Sequence, residues 1–338
     1  LVDDLNIFPV PDGDTGTNMS MTMSSAVTEL TKSEYDNICD ISAQAASALL
    51  RGARGNSGVI LSLLFRGFSK GFKNLECASG PDLVTALGIG VDAAYGAVMK
   101  PTEGTMLTVA RVAYEKGKLA LETNCDPIYV WEQICNGANE ALQTTPELLP
   151  VLKKAGVVDA GGKGVCLIFE GMLSVFKDGA IIENNSIEDF ETEEVDSFRS
   201  AAAEFDADIN FTYCTEFIVG REKEIEKSPC ELRSYLETIG DCVVVVDDDD
   251  IIKVHVHTEE PGNALQSALE YGQLLTVKVE NMKEQHKAAG QNKKAQDLRP
   301  VDPVDEFGFV SVAAGEGLET LFNDLGCTHV VSGGQTMN

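Results

Sequence analysis

Positive charge is scarce in these 338 residues: 26 lysines and arginines stand against 54 aspartates and glutamates, for a formal net charge of −28. That balance excludes a nucleic-acid or anionic-membrane surface, because both demand basic patches. Long apolar runs are missing as well. No stretch approaches the roughly 18 uninterrupted apolar residues of a membrane span, and the opening Leu1-Val2-Asp3-Asp4 is no signal peptide, so a cytoplasmic location is expected. The nine cysteines show no CxxC spacing, and an odd count in a chain of this size argues against a disulfide framework. Histidine is rarer still, four in all and none in the first 180 residues, which excludes a phosphohistidine intermediate there.

What is present is ordinary globular material, 43% hydrophobic and 24% charged, in a chain long enough for two or three domains. There is no initiator methionine, and the end, Gly333-Gly334-Gln335-Thr336-Met337-Asn338, reads as a loop. A fragment of a longer protein is therefore expected.

Residues 1–180 predict an all-α bundle or barrel. Apolar residues recur every three or four positions over 19–30, 40–50, 58–71, 82–99, 105–123, 127–144, 146–155 and 164–176, with Gly, Pro or Asn between. Residues 181–208 turn acidic and polar, as a linker does. Residues 209–286 then predict an α/β or α+β middle domain, with strands at 211–219, 241–247 and 251–258 and helices at 231–239 and 262–271. Asp247 to Asp250 reads as a hairpin turn. A second linker at 287–305 precedes strand, helix and strand patterns at 307–313, 318–325 and 328–332, the start of a further α/β domain cut short.

The most informative stretch is Asn6-Ile7-Phe8-Pro9-Val10-Pro11-Asp12-Gly13-Asp14-Thr15-Gly16-Thr17-Asn18-Met19. Its prolines stiffen a loop in which Asp12 and Asp14, two positions apart, can converge on one hard cation such as Mg2+. Thr15, Thr17 and Asn18 follow at a helix start, where side-chain oxygens cap and free N–H groups favour anions. Turn chemistry followed by an N-cap accounts for the same residues. Three further Gly-rich joints precede helices: Arg51 to Val59, Lys100 to Leu107 and Gly156 to Gly164. The first, holding Asn56, Ser57 and Gly58, suits a phosphate at a helix N-terminus but lacks the Gly-Lys-Ser/Thr ending of a Walker A loop, and a tight helix–helix turn is its alternative. In the second, Thr105 caps a helix and Met106 either lies against a base or belongs to the core.

Lys253-Val254-His255-Val256-His257-Thr258 puts two imidazoles on one face of a strand. With Cys214 on a neighbouring strand these form a three-ligand Zn2+ site, for which Glu216 is a candidate fourth ligand. Without that adjacency they are an exposed histidine pair and a buried free cysteine.

The whole Asn6 to Met19 phrase resembles the signature of the nucleotide-binding domain shared by dihydroxyacetone kinases and the ATP-binding subunit of bacterial fatty acid kinase, and its Phe-Pro-Val-Pro lead-in is similar to the latter. Ala53 to Ser62, Met99 to Thr108, Val157 to Gly164, Tyr213-Cys214-Thr215-Glu216 and Lys253 to Thr258 extend the likeness along the chain. The resemblance implies an eight-helix antiparallel barrel that binds ATP with two Mg2+, a middle domain with zinc on Cys214, His255 and His257, and the start of a DegV-like C-terminal domain. It also implies Asp12 and Asp14 as metal ligands and catalytic residues, and contacts to the nucleotide from Thr17, Asn18, Asn56, Ser57, Gly58, Thr105, Met106, Asp159 and Gly161. Dihydroxyacetone kinases have a third metal-binding aspartate before the pair, where this chain offers Asn6 or, failing that, Asp4 or Asp3.

The implied activity is ATP-dependent phosphorylation of the carboxylate of a fatty acid carried by a separate fatty-acid-binding protein, with a homodimer left open. A dihydroxyacetone or polyol kinase and a non-catalytic nucleotide- and zinc-binding scaffold are the alternatives.

Overall fold

The structure, a computed structural model, describes residues 2–9, 11, 13–32, 34–98, 100–179, 210–222, 227–284, 308–313, 320–322 and 325–332. Both expected linkers, Asp12 and the closing Gly333 to Asn338 lie outside the described residues. Residues Leu1–Gln291 form one compact unit and Asn292–Asn338 a second.

The first unit begins with helices α1 (Thr15–Leu30), α2 (Ile38–Gly52), α3 (Gly55–Gly71), α4 (Gly80–Ala97), α5 (Met106–Leu121), α6 (Pro127–Leu148), α7 (Pro150–Ala155) and α8 (Ala160–Asp178). Local signals set their starts. Asn37 accepts from Asp40 N–H to cap α2, Ser79 and Asp82 form a capping box on α4, and Asp126 accepts from Tyr129 N–H ahead of Pro127 on α6. Each long helix packs on the next, and α8 returns to α1. The shared core centres on Trp131, which is fully buried, donates from Nε1 to the Phe169 carbonyl at 3.0 Å and stacks edge-on to the Phe169 ring.

Three helices start earlier than the periodicity predicts, at Thr15, Gly55 and Ala160 in place of Met19, Gly58 and Gly164. The Gly-rich phrases are thus first helical turns, with their N–H donors facing outward. The expected helix over 146–155 is also corrected: α6 runs through Pro146 to Leu148, and the break falls at Leu149. Pro146 cannot donate to the Leu142 carbonyl, but the Thr145 hydroxyl does so at 2.7 Å, so the helix survives its proline.

A four-stranded antiparallel sheet follows, with β1 (Tyr213–Arg221), β2 (Gly240–Asp247), β3 (Ile251–Thr258) and β4 (Gly272–Asn281) in the order β2-β3-β1-β4. With helices α9 (Pro229–Ile239) and α10 (Pro261–Ala268) it is an α+β arrangement. Strand β4 is absent from the expected elements. One face of the sheet packs Phe217, Val219, Val254 and Val256 against Leu232 and Leu236 of α9 and Ala264 and Ala268 of α10. The other adds Ile218, Val244, Val246 and Ile251 to the core of the helices. The acidic turn between β2 and β3 is held by arginines: Arg66 donates to the Asp247 carbonyl at 2.5 Å and pairs with Asp248, and Arg221 pairs with Asp247.

In the second unit, β5 (Val310–Ala313) and β6 (His329–Ser332) pair in parallel. The helix expected over 318–325 lies partly outside the described residues.

The tightest helix contact is the crossing of α3 and α4, where a methyl added at Gly67 runs into the Gly90 backbone. Gly67→Ala is expected to lose about 1–3 kcal/mol of stability through overpacking. Gly171→Ala on α8, with nothing within 4 Å of an added methyl, should instead gain up to about 1 kcal/mol of helix propensity. Thermal denaturation followed by circular dichroism separates the two, and an unchanged midpoint for Gly67→Ala refutes the close crossing.

Candidate functional site

Four helix starts meet the polar face of the sheet around a cavity of about 380 Å3. At α1 the N-terminal donors are already engaged. The Asp3 carboxylate accepts from Gly16 N–H at 2.5 Å, Thr17 N–H at 3.0 Å and the Thr17 hydroxyl at 2.7 Å. Thr17 is exposed and outside the cavity lining. Asp3 is therefore committed to capping, whereas Asn6, Asp14 and Asn18 line the cavity. Asp14 is the N-cap residue of α1.

At α3, Gly55 has φ +58°, and an added side chain there would strike the Asn18 amide. Thr22 ties the two helices together, donating to the Asn18 carbonyl at 2.7 Å and accepting from Arg54 N–H at 3.2 Å. Asn56 and Ser57 line the cavity. Gly58 is turned instead towards Thr22, where its missing side chain permits the close approach. Buried Asn56 Oδ1 has no hydrogen-bond partner, the kind of orphan acceptor that a bound ligand satisfies.

At α5 the Thr105 hydroxyl accepts from Leu107 N–H and donates to the Thr102 carbonyl. The loop before it is pinned by Glu103, whose carboxylate accepts from Thr108, Tyr95 and Arg111. Met106 is buried against Gly161, and both line the cavity with Thr105. Asp159 joins two helix starts, accepting from Gly162 N–H at 2.7 Å on α8 and from Met106 N–H on α5.

Across the cavity the register of β1 and β3 places Cys214 opposite His257 and Glu216 opposite His255. The adjacency that the sequence left open is thereby present, and the histidines are buried, not exposed. Their Nε2 atoms lie 3.2 Å apart, and Cys214 Sγ is 3.9 Å from His255 Nδ1. Each Nδ1 faces a carboxylate: His255 has Glu216 Oε1 at 2.9 Å, and His257 has Asp241 Oδ1 at 3.7 Å. Carboxylates on Nδ1 with Nε2 atoms converging is how metal-binding imidazoles are oriented, and one sulfur with two nitrogens suits zinc.

Burial works against charge on His255, but Cys214 and Glu216 hold its pKa above the usual histidine value. Burial and the neighbouring His255 hold His257 below it. Glu216 stays ionised because its bond to His255 and the charges of His255, Lys253 and Lys278 outweigh desolvation. A proton thus sits between the two Nε2 atoms where a metal ion displaces it, so metal uptake releases protons.

A second set, Asp241, Cys242 and His257, adjoins the first. It arises from a bulge in β2 between Asp241 and Val244, where Cys242 takes φ +51°. Nothing in the sequence marks that bulge. Lys278 and Glu280, also in the cavity, were legible in principle, since Leu275 to Glu280 alternates as a strand does. Lys278 and Lys100 bring positive charge into the lining of an otherwise acidic chain.

Desolvation raises the buried Asp159 carboxyl from 3.8 to about 7. Between those values the folded chain holds a proton that the unfolded chain has lost, so this group's contribution is complete below the lower value and disappears as pH rises through the upper one. Asp159→Asn carries no such titration. Its melting temperature relative to wild type should therefore increase between pH 5 and pH 8, and a constant difference contradicts the assignment.

Comparison with known proteins matches residues 9–174 to the DAK2 domain, 210–289 to the middle domain of FakA-like fatty acid kinase subunits, and 308–338 to the C-terminal domain of the same proteins. The protein YloV of Bacillus subtilis (strain 168) is 43% identical over 343 residues, spanning 100% of this chain and 62% of YloV. Uncharacterised proteins of Staphylococcus aureus strains USA300 and N315 are each 42% identical over the same shares. The chain thus spans about 62% of the length of these relatives. No helix among the described residues is long and apolar enough to cross a membrane. With a DAK2 domain followed by these middle and C-terminal matches, the chain belongs to the FakA-like family of fatty acid kinase subunits.

Proposed function

We propose that this chain is the nucleotide-binding part of a fatty acid kinase, transferring the γ-phosphoryl group of ATP to the carboxylate of a fatty acid presented by a lipid-binding partner protein. The observation that carries the reading is the shared cavity: the Gly-rich helix starts and the Cys214, His255 and His257 set face one space. We read the ring of helices as the antiparallel barrel of the DAK2 fold, residues 1–180 as the nucleotide domain and 209–286 as the middle domain.

Asp12 and Asp14, with Asn6 beside them, are the residues to hold two Mg2+ ions, which when bound neutralise the β- and γ-phosphates. Asn56 and Ser57 at the start of α3, and Thr105, Met106 and Gly161 at the starts of α5 and α8, are set to receive the nucleotide, and the orphan Asn56 Oδ1 fits such a ligand. Cys214, His255 and His257 are the donors for zinc, whose Lewis acidity suits a carboxylate or acyl phosphate oxygen.

An acceptor carboxylate is already ionised at neutral pH, so no general base is required. The chain's task is to position two anions against each other and offset their charge, which Lys100 and Lys278 favour.

With purified full-length protein and a fatty-acid-loaded partner, ATP-dependent acyl phosphate is the expected product. Asp14→Ala and Asp12→Ala are each expected to lower turnover by about 100-fold or more. Wild-type turnover in both variants removes the metal assignment, and absence of acyl phosphate with every acyl chain tried removes the reaction.

A further inference from the structure

Glu216 stands between the two halves of the cavity. It lies on β1, two residues from Cys214 and opposite His255, and is 4% exposed. Its Oε1 accepts from Gly55 N–H at 2.6 Å and also meets His255 Nδ1 at 2.9 Å. Gly55 opens α3, and the next two residues are Asn56 and Ser57 in the cavity wall. One carboxylate oxygen therefore touches both the backbone of the nucleotide loop and an imidazole of the metal set, across 161 residues of chain.

Its other oxygen lies 3.9 Å from the buried Lys253 ammonium. With both oxygens so placed, Glu216 is not the fourth metal ligand that the sequence offered. Its contact is with the far nitrogen of His255, whose Nε2 is the atom turned towards His257.

We propose that Glu216 is a positioning residue that couples metal binding at Cys214, His255 and His257 to nucleotide binding at the start of α3. The inference rests on the site reading given under the proposed function. A cation on His255 Nε2 fixes the tautomer with the proton on Nδ1 and makes that N–H a stronger donor to Glu216. The carboxylate is then held in one place, and with it the Gly55 amide that sets the direction of Asn56 and Ser57. Because such coupling is a free energy shared by two sites, it acts equally in both directions.

The test measures binding, not turnover. Mg-ADP affinity of the full-length protein is measured by calorimetry with and without zinc, and zinc affinity by chelator competition with and without Mg-ADP. In wild type, each ligand is expected to strengthen the other by the same factor, about fivefold or more. In Glu216→Gln both ligands still bind, with zinc weakened about 10- to 100-fold, and the mutual factor falls to one.

Because that change strands the Lys253 ammonium, the double variant Glu216→Gln/Lys253→Met serves as a second, charge-balanced test with the same expected loss. A mutual factor retained in either folded variant overturns the proposal. A wild-type factor of one overturns it while leaving the site reading intact, and failure of wild type to bind zinc or Mg-ADP overturns both.

Discussion

The antiparallel register of β1 and β3 is the constraint on which the site depends. Side chains alternate along a strand, so a slip of one residue would carry Cys214, Glu216, His255 and His257 to the opposite face and leave Thr215, Val254 and Val256 in the cavity. The register is held by the apolar half of the same alternation. Phe217, Val219, Val254 and Val256 are buried against α9 and α10, and exposing them is costly. The polar residues of the site are thus placed by the hydrophobic residues between them.

The helical half solves a different problem with recurring chemistry. Helix N-termini present unsatisfied N–H groups and partial positive charge, and here several are met by the chain's own carboxylates. Asp3 closes α1, Asp159 closes α8 and reaches α5, and Glu216 takes the first donor of α3 from the sheet. An acidic chain has such anions in supply. The result is a cavity rim whose donors are partly assigned in advance, leaving Asn56, Ser57 and Thr105 to face the interior.

Much of this was legible in the residues. Gly, Pro and Asn punctuation located the long helices, and the spacing of His255 and His257 placed both on one face. Helix starts were misjudged wherever glycine opened a helix, because the same glycines that read as turns are tolerated in a first turn when a carboxylate holds it. The pairing of Cys214 with His257 is a long-range property that strand patterns do not encode. Glu216 could be put on the correct face from its distance to Cys214, yet its contact with Gly55 depends on how the sheet meets the helices. The bulge at Cys242 breaks the alternation that made the other strands readable, so Asp241 escaped notice.

Thr145 carries a consequence for how far this chain tolerates exchange. Its hydroxyl gives a proton to the carbonyl that Pro146 leaves unserved and takes one from the Asp159 amide at 3.1 Å. A residue whose hydroxyl must act in both directions admits serine but not valine, alanine or cysteine as a full replacement, whatever their volume. Residues 145, 146 and 159 accordingly behave as one heritable unit. A lineage that discards the proline frees the threonine from one of its two duties, and a lineage that keeps it holds the cavity wall at Asp159 to a single hydroxyl.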